Sequence, residues 1–103
     1  MKPLSDALHI DTTPNGTIRL AGELDGASAG SLHTTLKRSL TGQPHQLVVD
    51  VSRLDFCDSS GLAVLVQARN RLPDTSQMIL HGASNRLRQL LRITGLDTTF
   101  TLT

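Results

Sequence analysis

The middle of the chain places an acid, two hydroxyl groups and a glycine in succession, as Asp58, Ser59, Ser60 and Gly61. A stretch rich in apolar residues follows at once, "LAVLVQARNRL", and it contains no Gly or Pro until Pro73. Serine hydroxyls in such a setting could act as a nucleophile, accept a phosphate, or cap a helix. The surrounding residues discriminate among these three roles.

A nucleophilic serine would need a base and an acid in a defined arrangement. The usual hydrolase turn is G-x-S-x-G, with a histidine as base. Here the serines follow Asp58 instead, and His81, at the end of a later predicted strand, is the candidate base. So short a chain offers no evident substrate pocket, and a small serine hydrolase is therefore the least favoured of the alternatives.

Asp50 offers a second possible chemistry, because it ends the apolar run "LVVD" as the phospho-accepting Asp of receiver domains does. A receiver also needs an acidic pair after its first strand to hold Mg²⁺, and a Lys after a late strand. The first predicted strand ends in "DTTPNG", and the last two contain no Lys. We therefore interpret Asp50 as a residue at a strand end that accepts hydrogen bonds from backbone N–H groups.

The serine pair could instead be a phosphate acceptor. The free N–H groups and the positive end of a helix dipole favour negative charge at this position. The alternative is structural, with Asp58 or Ser59 as the helix cap and Ser60 as a spare serine. The residues of this turn alone leave both interpretations open.

Composition narrows the range of functions. The chain has 103 residues, 38% of them hydrophobic and 18% charged, which predicts a single globular domain over residues 1–103. A net charge of +1 and the absence of Trp and Tyr argue against direct nucleic-acid binding and against anionic membranes. One cysteine, Cys57, and four scattered histidines show no metal-ligand spacing, so no metal is expected.

The beginning "MKPLSDALHI" lacks the apolar stretch of a signal peptide, and no apolar run approaches the length of a membrane span. These two observations lead us to expect a cytoplasmic protein.

Hydrophobic periodicity predicts the elements in the order β-β-α-β-α-β-α-β. Asn15-Gly16 predicts a tight turn, with Leu8 and Ile10 paired against Ile18 and Leu20. The later strands alternate with helices, which predicts an α/β fold whose mixed, mostly parallel sheet begins with an antiparallel hairpin and carries about three helices.

The helices and strands that follow the hairpin are predicted from individual segments of the sequence. Leu32, Leu36 and Leu40 recur every four residues in a helix that we expect to begin near Ser28. The β-branched run "HQLVVDVS" indicates a strand buried on both faces. "SSGLAVLVQARNRL" predicts a helix, "QMILHG" a strand, and "TTFTLT" the last strand. Between these two strands lies a helix, "SNRLRQLLRITG", capped by Ser84 or Asn85.

Four segments, in order and at fitting distances, resemble the STAS domain of bacterial anti-sigma factor antagonists. "FCDSSGLAVL" is similar to the family's D-S-S-G-L signature, and "LAGELDGASAGSL" is similar to its G-E-L-D segment. An apolar strand that ends in "VVDVSRLDF" precedes the serines, as in the family. "SNRLRQLLRITGLDTTF" resembles the closing helix and strand. The resemblance covers most of the chain.

The resemblance implies the STAS fold and the function of an anti-sigma factor antagonist. In the partner-switching version of the family, the antagonist binds an anti-sigma factor that is also an ATP-dependent serine kinase, and binding frees a sigma factor. The kinase phosphorylates the second serine of D-S-S-G, here Ser60, and the complex dissociates. A metal-dependent serine phosphatase reverses the change. The chain would then be a substrate and a switch, with no catalysis and no cofactor of its own.

The expected partner-binding residues surround Ser60, and five of the six also have a structural interpretation. Asp25 could close a turn, Asp58 and Ser59 could cap a helix, Gly61 could fit a crowded first turn, and Leu62 could belong to the core. The full expected set is Glu23, Asp25, Asp58, Ser59, Gly61 and Leu62.

STAS domains also serve as accessory subunits of transporter ATPases and in stress-sensing assemblies, and this alternative remains open. The intact D-S-S-G favours the switch.

Overall fold

The computed structural model describes residues 7–103, and it contains one five-stranded sheet with three helices. The strands lie in sequence order across the sheet, β1 antiparallel to β2 and all later neighbours parallel. The predicted order β-β-α-β-α-β-α-β and the predicted fold class are confirmed. The strands are β1 (Leu8–Thr12), β2 (Ile18–Leu24), β3 (Gln46–Cys57), β4 (Gln77–His81) and β5 (Thr101–Leu102).

The N-terminal hairpin turns where the Asn15-Gly16 signal predicts. Gly16 has a φ of +90°, and its N–H donates to the carbonyl oxygen of Thr13 at 2.9 Å. The register differs in part from the expected one: Ile10 lies opposite Leu20, but Leu8 lies opposite Gly22. Because the turn occupies five residues between the strands, Ile18 pairs with Thr12 and every later pair follows from that.

The helices begin and end at recognisable signals. They are α1 (Ala29–Leu40), α2 (Ser59–Arg71) and α3 (Asn85–Ile93). Ser84, rather than Asn85, caps α3, because its hydroxyl accepts a hydrogen bond from the N–H of Leu87 at 3.1 Å. Helix α2 stops at Leu72, the residue before Pro73, where the backbone becomes extended as a following proline requires. None of the helices within residues 7–103 has the length and apolarity needed to cross a membrane.

All three helices and all five strands contribute to one apolar core. The expectation that "HQLVVDVS" is buried on both faces is wrong. Leu47, Val49 and Val51 are buried, whereas Val48 and Asp50 between them are only partly buried. The helices cover only one face of this strand, so its burial alternates as in a sheet with one open face.

Strand β3 is longer than expected, and its pairing with β2 determines what meets at the end of the sheet. Two register shifts in the β2–β3 pairing, between Arg19 and Ala21 and between Gly22 and Glu23, bring Leu24 beside Cys57. The carboxyl ends of β2 and β3 therefore lie side by side at one edge of the sheet. The segments that leave them, one toward α1 and one into α2, start from the same edge.

The expectation drawn from "MKPLSDALHI" rests mainly on residues 1–6, which lie outside the described part of the chain.

Candidate functional site

The start of α2 is tied directly to the end of β2. The N–H of Asp58 donates to the carbonyl oxygen of Leu24 at 3.1 Å, continuing the strand pairing by one residue. This bond places the Asp58–Gly61 turn beside the β2–α1 loop. The structure thus brings six of the predicted site residues to one edge of the sheet: Glu23, Asp25, Asp58, Ser59, Ser60 and Gly61.

Asp58 is the cap of α2. Its backbone is extended, with φ −104° and ψ −175°, and its Oδ1 accepts a hydrogen bond from the N–H of Gly61 at 3.0 Å. Ser59 is the first residue of the helix and is exposed. The choice that the sequence left open is therefore settled in favour of Asp58, because a cap must precede the helical residues whose free N–H groups it accepts.

Ser60 is the second residue of α2, and it is exposed. Its side chain faces the β2–α1 loop, because a Cβ built on Gly26 would lie 3.7 Å from the Ser60 Oγ. With only a hydrogen at Gly26, the loop leaves the hydroxyl uncovered on that side. An added phosphate at Ser60 would sit at the N-terminal end of α2, where the helix dipole favours negative charge.

Gly61 and Leu62 lie beneath the exposed part of the turn. Gly61 is buried, and a Cβ on it would come within 2.4 Å of the Leu24 Cγ and 3.0 Å of the Leu24 carbonyl oxygen. This contact supports the interpretation of a crowded first turn. Leu62 is 4% exposed and belongs to the core. Both residues are buried and support the exposed part of the turn. For each of them, a direct contact with a partner stays a prediction.

The β2–α1 loop is held by side chains rather than by regular structure. Asp25 Oδ1 accepts hydrogen bonds from the N–H groups of Ala27 at 3.0 Å and Ser28 at 3.1 Å. This geometry supports the interpretation of Asp25 as a turn residue. Because Asp25 is only partly buried and Glu23 is exposed, both can also present charge to a partner.

Ser28 is a residue whose role the sequence did not reveal. Its side chain is fully buried and makes no cap bond to α1. Instead its hydroxyl donates to the carbonyl oxygen of Glu23 at 2.9 Å and accepts from the N–H of Asp25 at 3.0 Å. The signal available in the sequence was a polar residue among the small residues of "DGASAG", which fits a tightly packed loop.

We expect Ser28→Ala to lower the free energy of unfolding by about 1–3 kcal/mol, because it removes a buried hydroxyl that is hydrogen-bonded to two backbone groups of the loop. Chemical denaturation measures the change. The control is Ser31→Ala, an exposed serine on α1, for which a change within about 0.5 kcal/mol is expected. An equal effect at both positions would contradict the role assigned to the Ser28 hydroxyl.

Negative charge dominates this edge. Three carboxylates, those of Glu23, Asp25 and Asp58, belong to the segments that adjoin Ser60. Next to them, burial raises the pKa of the Cys57 thiol to about 11, and the charge of Asp58 adds to the effect. The thiol is therefore protonated at neutral pH, which disfavours it as a nucleophile.

His81 and Asp50, the residues that the alternative chemistries require, do not lie near the serines. His81 lies beside Asp50 in the β3–β4 register, and its Nδ1 is hydrogen-bonded to the Thr103 hydroxyl at 2.9 Å. Asp50 precedes Cys57 by seven strand residues, which is about 23 Å at the usual rise per residue. The serine–His81 pair that a hydrolase would need is therefore not formed.

Asp50 itself does not lie at a strand end, as the sequence suggested, but within β3. Its Oδ1 accepts hydrogen bonds from the hydroxyl of Ser52 at 2.6 Å and from the N–H of the same residue at 2.9 Å. These bonds hold the pKa of the carboxyl below its usual value. Across residues 7–103, no three His, Cys, Asp or Glu side chains are grouped so that they could hold a metal ion.

Comparison with known proteins shows which family has this fold. A family profile described as "Mlab, STAS domain" matches residues 8–103. The anti-sigma-B factor antagonist of Listeria monocytogenes is 35% identical over 93 residues, which cover 89% of this chain and 76% of that protein.

Solved structures show the same architecture. An anti-sigma factor antagonist from Mycobacterium paratuberculosis superposes with a TM-score of 0.80 at 25% identity, covering 92% of this chain and 82% of that chain. The unphosphorylated form of SpoIIAA gives a TM-score of 0.73 at 20% identity, with 94% and 88% covered, a likeness of fold.

The sheet with its capped D-S-S-G turn at the ends of two parallel strands is the architecture of a STAS domain. The chain belongs to the STAS family and, within it, to the anti-sigma factor antagonists.

Proposed function

We propose that this chain is a phosphorylation-controlled switch. Without phosphate it binds an anti-sigma factor that is also a serine kinase, and so frees a sigma factor. Phosphorylation of Ser60 by that kinase, using ATP, ends the binding, and a metal-dependent serine phosphatase restores it. The chain acts as substrate and ligand rather than as an enzyme. Because sigma factors act on the transcription machinery, we place this function in the cytoplasm.

The observation that carries the proposal is the setting of Ser60. Its hydroxyl is exposed on the first turn of a helix, beside a glycine that leaves it uncovered, at the edge of the sheet that also carries three carboxylates. A kinase can reach it without unfolding the chain. A phosphate would then add about −1.5 to −2 charges to a surface that is already acidic.

The exposed members of this edge supply the proposed contact surface for the kinase. Asp58 and Ser59 flank Ser60 on the turn, while Glu23 and Asp25 lie on the adjoining loop. Like charges brought together across an interface can cost several kcal/mol. A partner that packs against the Ser60 hydroxyl would have to bury the charge and the added volume of the phosphate, which opposes binding, and no rearrangement of the fold is needed.

We expect incubation with ATP and the cognate kinase to add a single phosphate, at Ser60. Peptide mass mapping locates it. Ser60→Ala should accept none. Ser59→Ala should remain a substrate, because it leaves the Ser60 acceptor in place; Ser59 is exposed as well, but it is Ser60 that faces Gly26 of the loop. Phosphate found only on Ser59 or Ser84 would overturn the assignment of the acceptor.

A second candidate function is that of an accessory subunit of a transporter ATPase. The match of a STAS family profile to residues 8–103 agrees with it, because STAS domains also occur in such assemblies. The neighbouring open reading frames discriminate between the two. A histidine-kinase-like ATPase beside this gene supports the switch, and lipid-transport subunits support the accessory role.

A further inference from the structure

The outer side of β1 is an unpaired edge of the sheet. Strand β1 comes first in the strand order and pairs with β2, and among residues 7–103 no strand lies on its other side. An edge strand presents backbone N–H and C=O groups that can pair with a further strand. The five residues Leu8–Thr12 therefore form a pairing surface that the sheet itself does not use.

The hairpin determines which backbone groups of β1 face outward. The N–H of Thr13 donates to the carbonyl oxygen of Thr17 at 2.9 Å, so these two residues form a hydrogen-bonded pair. Hydrogen-bonded and non-hydrogen-bonded pairs alternate along an antiparallel ladder. His9 and Asp11 therefore bond to β2. The backbone groups that point away from β2 belong to Leu8, Ile10 and Thr12.

This edge can be reached from both faces of the sheet. On the helix side, a groove of about 410 Å³ lies between β1 and α1, and its lining includes Ile10 and Thr12 of the strand and Thr35 of the helix. On the open side, His9 and Asp11 line a second concavity, of about 370 Å³. A strand that approaches β1 from the side therefore has room for its side chains on both faces.

The side chains of β1 are complementary to a second copy of the same strand. Two antiparallel copies related by a two-fold axis at Ile10 place Ile10 opposite Ile10 and His9 opposite Asp11, in both directions. In this register the outward-facing residues Leu8, Ile10 and Thr12 are the ones that exchange backbone hydrogen bonds. His9 and Asp11 fall in non-hydrogen-bonded pairs, where the side chains of opposite residues lie closest.

Other registers lack this match. An axis at Asp11 would set two carboxylates against each other, and an axis at His9 would move Asp11 beyond the end of the opposite strand. In the register centred on Ile10, Asp11 keeps its ion pair with Arg19, which uses Oδ2. Its Oδ1 then accepts an N–H from His9 of the second copy, a bond that an imidazole can donate whether it is neutral or charged.

We propose that this chain forms a two-fold symmetric dimer through the outer edge of β1, in the register centred on Ile10. The inference goes beyond the proposed function and does not depend on it, because β2 separates β1 from β3 and from the turn that carries Ser60. The contact is small, since each strand contributes five residues where a standard interface has about 20–30 a side. The dimer is therefore weak, and monomer and dimer exchange in solution.

Sedimentation velocity of the wild-type chain, from micromolar to millimolar concentration, should show a dimer fraction that rises with concentration. His9→Asp sets carboxylates opposite each other and should raise the dimer dissociation constant at least ten-fold. Thr12→Pro should do the same, because it removes an outward N–H while the pairing with β2 stays intact. The matched control is His45→Asp, the same charge change at an exposed residue before β3, which should stay within two-fold of the wild type.

A disulfide tests the register. In a Cys57→Ala background, Ile10→Cys brings two thiols together with their Cα atoms about 5.5 Å apart, within the range of a disulfide. His9→Cys faces Asp11 of the second copy instead, and should cross-link at least five-fold more slowly although position 9 is the more exposed. The proposal is overturned by a wild type that stays monomeric throughout, by a dimer that both edge variants and the control affect equally, or by equal cross-linking at the two positions.

Discussion

Replacing Ser60 by Asp is expected to weaken binding of the anti-sigma factor at least ten-fold and to leave the melting temperature unchanged or slightly higher. The carboxylate supplies one negative charge where a phosphate supplies nearly two, on the edge of the sheet that also carries the carboxylates of Glu23, Asp25 and Asp58. Ten-fold requires only about 1.4 kcal/mol of repulsion and lost packing. At the start of α2, however, a negative charge stabilises the helix by about 0.3–1 kcal/mol.

Two further substitutions separate charge from shape. Ser60→Asn has nearly the size of Asp without its charge, and should weaken binding less than three-fold. Ser60→Ala should fold, and should bind the anti-sigma factor in the presence of ATP because it cannot be phosphorylated. Calorimetric titration and thermal melting on the same preparations give both quantities. Undiminished binding by the Asp variant would contradict the electrostatic mechanism, and equal loss with Asn would mean that shape alone matters.

Gly61→Ala is expected to lower the free energy of unfolding by about 1–3 kcal/mol, the usual range for overpacking a buried site. The new methyl group would lie 2.4 Å from the Cγ of Leu24 and 3.0 Å from its carbonyl oxygen. Leu24 is fully buried at the end of β2 and belongs to the apolar core. The first turn of α2 must therefore shift away from the strand. Urea denaturation measures the loss.

Gly30→Ala is the matched control, because it adds the same methyl group near the start of another helix with nothing within 4 Å. There the smaller backbone freedom of Ala should raise stability by about 0.5–1 kcal/mol. In a Leu24→Ala background, Gly61→Ala should do less damage than in the wild type, since two of the three close contacts are gone. Additive losses in that double variant would show that the Leu24 side chain is not the obstacle.

The order of elements could be predicted because it depends on local patterns. The four-residue spacing of Leu32, Leu36 and Leu40 indicated α1, and the Asn15-Gly16 pair indicated the turn of the hairpin. The D-S-S-G stretch indicated where α2 starts. In each case the residues that determine the feature lie close together in the chain, so one sequence is sufficient to recognise it.

Features that depend on contacts between distant segments could not be predicted in the same way. An apolar run such as that around Val48 is compatible with covering on one face or on two, and only the placement of the helices decides. Both Asp58 and Ser59 are good capping residues, and the bond from Asp58 to the end of β2 selects one of them. The reason for glycine at position 61 lies in Leu24, 37 positions earlier in the chain.

The hydrogen bond between Asp58 and Gly61, together with the buried glycine, has a kinetic consequence. Because the turn is already ordered in the free protein, a partner need not wait for the serines to become ordered, and little ordering entropy should be lost there on association. The modified and unmodified proteins should then exchange their α2 amide hydrogens at similar rates, and should differ mainly in how long a complex lasts. Information would be stored in the residence time of a partner rather than in the shape of the chain.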